Sequence, residues 1–277
     1  VAVVGLHASY IVLSQFNLDF FLLCLSTSLL PPKTSVSVYI MEKIQVLRLA
    51  FVYYQHPDLT KALTFLKDFG FVEAQTSTNK VFLRGFGVDP YLYVAEQSPD
   101  SERHFLGGFW TVSSQEDLKK AAAQPGASAI FNLDGPGAGQ AVTLRDPNNF
   151  IVGFVFGQEE RESDGSRHLE QGVKERNSTA QRLRKGDVRR FRNAPCPVHK
   201  LGHYGFVVPE NKFRDTLDWY YSIMNLAPTD TVFNPATGKD QTTFNHINLD
   251  DEYTDHHVRS ILGLLYLHAC CTALTLE

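Results

Sequence analysis

Residues 46–70, VLRLAFVYYQHPDLTKALTFLKDFG, decide the fold. The opening nine residues are rich in Val, Leu, Phe and Tyr, the composition of a strand packed on a core. Pro57-Asp58 then opens a helix in which Leu59, Ala62, Leu63, Leu66 and Phe69 recur at spacings of three and four and share one face. Gly70 ends it. His56, just ahead of Pro57-Asp58, is expected to serve the start of this helix. Three short strands follow near 71–76, 80–85 and 91–96, divided by the turn signals Ser77-Thr78-Asn79 and Asp89-Pro90. The order is βαβββ.

That order recurs. Residues 105–112 read as a strand, Ser114 caps a helix containing Leu118 and Ala122, and Pro125-Gly126 stops it. Strands near 128–131, 141–145 and 150–156 complete the second unit. A third begins with a strand at 201–208. A helix from Glu210 to Met224 turns Phe213, Leu217, Tyr220 and Tyr221 inward, and strands near 229–233 and 241–249 flank the turn Pro235–Gly238. Superposing the first helix on the third requires a shift of 154, which places His203 at the position of Leu49. A lone βαβββ unit cannot cover its apolar sheet face, so the units should pair. The expected class is α+β, with paired βαβββ modules forming curved mixed sheets and a second domain that is incomplete.

Composition narrows the function. The chain has 277 residues, 43% hydrophobic and 20% charged, as in globular domains. A net charge of -4 and a pI near 6.2 argue against nucleic acid as a partner. Cys24, Cys196, Cys270 and Cys271 fit neither a disulfide framework nor a zinc knuckle, and point to a reducing, cytoplasmic compartment. Residues 1–40 read as a non-native or disordered leader ahead of Met41. Their apolar run is broken by Ser9, Ser14, Gln15, Asn17 and Asp19, so no membrane span is expected. Residues 41–157 form the first domain, 158–198 a charged linker, 199–257 the first half of a second domain, and 258–277 an aberrant tail.

The stretches His199-Lys-Leu-Gly-His-Tyr-Gly-Phe206 and Phe244-Asn-His-Ile-Asn-Leu-Asp-Asp-Glu-Tyr-Thr-Asp-His-His257 carry a resemblance. With the repeated modules, they make residues 41–257 similar to the vicinal oxygen chelate superfamily, and within it to the fungal catechol 2,3-dioxygenase-like extradiol ring-cleavage enzymes. The resemblance implies Fe(II), in some members Mn(II), held by two histidines and a carboxylate. A facial triad of that kind leaves positions open for a catechol-type aromatic substrate and O2. It implies His203 as a metal ligand and His257, with His256 as its neighbour, in proton transfer. The second histidine ligand and the glutamate fall in a segment that residues 258–277 do not supply, so this chain is expected to be inactive by itself. Leu49 and Gly153 stand at the corresponding positions of the first domain, which is expected to be metal-free. His104 sits three residues from a ligand position and should face away.

Other assignments compete. His203 could be a core histidine, and His256-His257 beside Asp255 an exposed polar turn. Phe244 and His246 alternate on one strand so that one of them faces the cup, His246 as a substrate contact or as packing. Trp110 and Trp219 are expected in the core. The rival functions are a metal-free small-ligand-binding protein of the same fold and a glyoxalase- or isomerase-like metalloenzyme. An uncovered sheet in the half domain should make the chain a homo-oligomer or poorly soluble.

Overall fold

In the computed structural model, the described residues are 42–164, 195–250 and the backbone of 257–262. The leader, most of the charged linker, His256, Cys270 and Cys271 lie outside them. The first module contains β1 (Val46–His56), α1 (Leu59–Phe69), β2 (Val72–Thr76), β3 (Lys80–Arg84) and β4 (Tyr93–Gln97). The second contains β5 (His104–Val112), α2 (Gln115–Ala122), β6 (Phe131–Asn132), β7 (Gln140–Arg145) and β8 (Ile151–Phe156). The third contains β9 (His203–Val208), a 3₁₀ turn at Glu210–Lys212, α3 (Phe213–Ile223), β10 (Leu226–Asn234), β11 (Lys239–Ile247) and β12 (His257–Leu262).

The class is α+β with mixed sheets, as the repeats predict. Modules one and two form an eight-stranded sheet in the order β2-β3-β4-β1-β5-β8-β7-β6, and the third forms β10-β11-β12-β9. In every module the first strand pairs parallel with the last, as β1 with β4, β5 with β8 and β9 with β12. A parallel pair requires a crossover, which the helix and the intervening strands supply. The seam between modules one and two is the antiparallel pair β1–β5. The helices keep the predicted offset of 154: α1 begins at Leu59 and α3 at Phe213, and each has 11 residues.

Local chemistry sets the helix ends. Asp58 accepts the Lys61 N–H at 2.8 Å and caps α1. Gly70 closes it at φ +126°, where a Cβ would lie 1.7 Å from the Cys196 carbonyl oxygen, so both backbone and space require glycine. Residues 210–212 form a 3₁₀ turn and not the first turn of α3, which lacks a side-chain cap. The strand expected near 128–131 shrinks to Phe131–Asn132. Strand β12 takes in residues 258–262, which the sequence assigns to the tail, so the third module reaches Leu262.

The first eight strands carry apolar residues on both faces. One face packs under α1 and α2 with Leu49, Val52, Trp110 and Phe154, and the other holds Phe51, Phe82, Tyr91, Val94 and Phe109. The helix-side core is continuous with Phe206, Phe213, Leu217 and Tyr220 of the third module. Polar contacts fix that docking. Asn225 accepts the Val46 N–H at 2.8 Å and donates to the Val46 carbonyl at 3.1 Å and the Asn248 carbonyl at 3.0 Å. The buried Asp146 accepts backbone N–H groups of Asn148 and Phe150 and the Tyr220 hydroxyl at 3.4 Å. The third module is therefore anchored through its helix side. Trp110 is fully buried as expected, whereas Trp219 only packs partly buried against the core.

His56 does not serve the helix start. It is 7% exposed, its Nε2 lies 2.9 Å from the Tyr93 hydroxyl, and Asp58 does the capping. Burial, aided by the Arg103 charge, lowers its pKa to about 4. The unfolded chain, titrating near the ordinary value of about 6.5, takes up this proton first. His56 thus contributes stability at neutral pH that is lost as pH falls from about 6.5 to about 4. In urea unfolding at pH 7 and pH 4.5, His56→Gln should show a smaller loss between the two pH values than the parent; an equal loss contradicts the assignment.

Candidate functional site

The third module brings distant histidines to one level of its sheet. In β11 and β12, His246 and His257 are Cα partners, and across the parallel β12–β9 pair His257 is the partner of His203. The three positions form a transverse row over adjacent strands. His203 and His246 are half-buried. Register determines the face. Asn245 accepts the Tyr221 hydroxyl at 2.5 Å, so it points to α3. Successive strand residues alternate, which puts His246 on the opposite, helix-free face. Phe244 lies two residues away and shares that face, so the expectation that only one of the two faces the cup is corrected. His256 lies outside the described residues.

Neighbouring groups orient the row. The Thr229 hydroxyl is 2.8 Å from Nδ1 of His246, which leaves Nε2 as the outer nitrogen. Behind the sheet, Phe206 stacks on Tyr220 with centroids 5.5 Å apart, and Thr216 donates to the Lys212 carbonyl at 2.7 Å. Burial raises the Tyr221 hydroxyl to about 12, so it remains a donor to Asn245 across the working pH range. Thr229 and Tyr221 have no sequence signal as site residues; only the strand register connects them to the histidines.

The donor set supplies part of a facial triad. The row carries imidazoles and no carboxylate, and among the described residues no three His, Cys, Asp or Glu side chains converge as metal ligands. The His257 side chain lies outside those residues. Among the described residues, the anionic ligand that ferrous iron takes beside two histidines is therefore not brought to the row.

The corresponding face of the first eight strands is filled. Gly153 is the Cα partner of Phe109, and a Cβ at Gly153 would fall 2.0 Å from the Phe109 ring. That ring stacks on Phe51 with centroids 4.3 Å apart. The position compared with a glutamate is thus taken up by packed aromatic carbon. Leu49 needs correction. A bulge between Leu49 and Phe51 turns it away from the cup, where it pairs with Trp110 and joins the helix-side core, so it is not the spatial counterpart of His203 despite the offset. A second irregularity between Tyr53 and Tyr54 makes His104 the partner of Gln55. His104 therefore shares the Tyr53 face, contrary to the count of three, and is held at the rim by Asp100 at 2.8 Å. Substituting Gly153→Ala should cost about 3 kcal/mol by overpacking, measured by denaturant unfolding. Adding Phe109→Leu should recover part of it; strict additivity of the two losses would refute the contact.

No family model and no curated protein matches the sequence. Solved structures do match. Homoprotocatechuate 2,3-dioxygenase from Brevibacterium fuscum, in complex with 3,4-dihydroxyphenylacetate, aligns with a TM-score of 0.61 and 18% identity over 81% of this chain and 62% of that one. A variant of the same dioxygenase gives a TM-score of 0.62 and 17% identity over 82% and 57%. The Mn(II)-bound glyoxalase from Novosphingobium aromaticivorans gives 0.58 and 14% over 81% and 64%. The chain spans less than two thirds of each of these proteins. Among the described residues no helix is long and apolar enough to cross a membrane. The chain shares the fold of these dioxygenase and glyoxalase structures, with three βαβββ modules among the described residues.

Proposed function

We propose that this chain carries one half of the catalytic cup of a non-haem Fe(II) extradiol dioxygenase, an oxidoreductase that opens a catechol-type ring with O2. Residues 41–157 would be a metal-free supporting domain and the module from 199 the catalytic half. The observation that carries the proposal is the parallel β9–β12 pair, which sets His203 directly beside His257. On this proposal His203 is a metal ligand and His257 moves a proton near the bound substrate. The fold shared with a catechol-binding dioxygenase supports the substrate class, and the cysteine usage supports a reducing, cytoplasmic setting.

On this proposal a further module supplies the carboxylate that the described histidine row does not contain. Without it iron would be held weakly, because that ligand both bonds the cation and neutralises charge. When bound, iron would supply the open coordination positions for substrate and O2. The residues of this chain would position the ring over the helix-free face of β9, β11 and β12 and handle the proton.

The 277-residue chain should therefore show no ring-cleavage absorbance with catechol, while a version supplied with a fourth module should. In that version His203→Ala should abolish iron retention. His257→Ala should retain iron and lose about 10²–10⁴-fold in turnover, the usual contribution of a general acid or base. Iron content and cleavage rate together decide it; full iron and full activity in His203→Ala would overturn the assignment.

A further inference from the structure

The two ends of the charged stretch between the first domain and the third module lock onto one residue. Phe86, between β3 and β4, accepts at its carbonyl the Asp164 N–H and the Ser163 hydroxyl, each at 2.9 Å. Its N–H donates to the Val198 carbonyl at 2.8 Å, and its ring stacks on His199 with centroids 4.8 Å apart. Asp164 and Val198 are far apart in the chain, yet they meet here. Ion pairs tighten the first end, Asp164 with Arg84 at 2.5 Å and Glu160 with Arg48 at 3.2 Å. Arg161 donates its backbone N–H to the Val88 carbonyl at 2.9 Å and its guanidinium to the Gly87 carbonyl at 2.6 Å. The second end lies against glycine. A Cβ at Gly85 would fall 2.4 Å from the Val198 carbonyl oxygen, and one at Gly87 would fall 2.8 Å from that of His199.

We propose that residues 85–88 form a clasp that holds the third module on the first domain without help from the intervening chain. Cutting or lengthening the chain between residues 164 and 195 then leaves one assembled particle. The physical ground is that the clasp brings the two ends together by itself. The entropy of closing a loop grows only with the logarithm of its length, so added residues cost little once the ends are fixed. After a cut, the two pieces keep the bonds at Phe86 and the helix-side core around Phe206 and Tyr220. The clasp also sets where β9 begins. Leu201, 1% exposed, follows His199 into the core, and His203 opens the strand. A clash at the clasp therefore acts first on β9 and least on the eight-stranded sheet. The device does not depend on ring cleavage or on a metal.

The test uses the full chain with the recognition sequence of a site-specific protease inserted between Asn177 and Ser178. Uncut, this chain should unfold at the urea midpoint of the parent. Cut, its two pieces should elute as one particle in size-exclusion chromatography and separate only in denaturant. Gly87→Val drives a side chain against His199 and should weaken association of the cut pieces by at least about tenfold. His199→Ala removes the stacked ring and should weaken it to a smaller degree. His104→Ala, held by Asp100 away from the clasp, should associate as the parent does. In the uncut chain Gly87→Val should speed amide hydrogen exchange in β9 and leave β5, β7 and β8 unchanged, a reading that needs no cut. Pieces of the cut parent that separate without denaturant overturn the proposal. So does a folded Gly87→Val chain whose cut pieces associate as tightly as the parent's, because the helix-side core then holds the module alone. Unchanged exchange in β9 of that variant has the same meaning.

Discussion

The parallel pairing of the first strand of each module with its last is the constraint on which the rest of the structure depends. It forces the chain to cross over, so a helix covers one face of the sheet while the other face becomes a cup. It also sets two strands side by side that are far apart in sequence. In the third module these are β9 and β12, and the pairing makes neighbours of His203 and His257. The antiparallel β11 adds His246 at the same level. None of these contacts is local, and each depends on the crossover closing in one register.

One scaffold gives two different surfaces. In the first eight strands the cup face holds Phe51, Phe109 and Tyr91, and Gly153 has no side chain because the Phe109 ring fills that space. Packing of this density leaves no room for a polar ligand set and contributes to stability instead. In the third module the same face carries His203, Gly205, Phe244 and His246. The helix side of this module is joined to the main core through Phe206, Phe213 and Tyr220, and is tied down by Asn225 and Asp146. The structural burden is thus placed on one face and the histidine row on the other.

Periodicity made the repeats legible. The spacing of Leu59, Leu63, Leu66 and Phe69 marks α1, and an offset of 154 locates α3 from Phe213 to Ile223. What stayed hidden depends on partners across the sheet. The bulge at Leu49–Phe51 has no local sequence mark, yet it moves Leu49 to the opposite face. His56 next to Pro57-Asp58 resembles a helix start, but Tyr93 on the parallel strand claims it. Strand β12 was obscured because residues 258–262 resemble the apolar stretch that follows them. His203 could be picked out by its place in the repeat, whereas its alignment with His246 required the register.

The central claim is that the parallel β9–β12 pairing sets His203 level with His257. Oxidation of the His203→Cys/His257→Cys double variant, with the cross-link mapped by peptide mass spectrometry, tests it most directly. The account predicts an efficient cross-link between the two introduced thiols, and a much poorer one when His203→Cys is combined with Val258→Cys, one residue out of register. Preferential cross-linking of the out-of-register pair would contradict it.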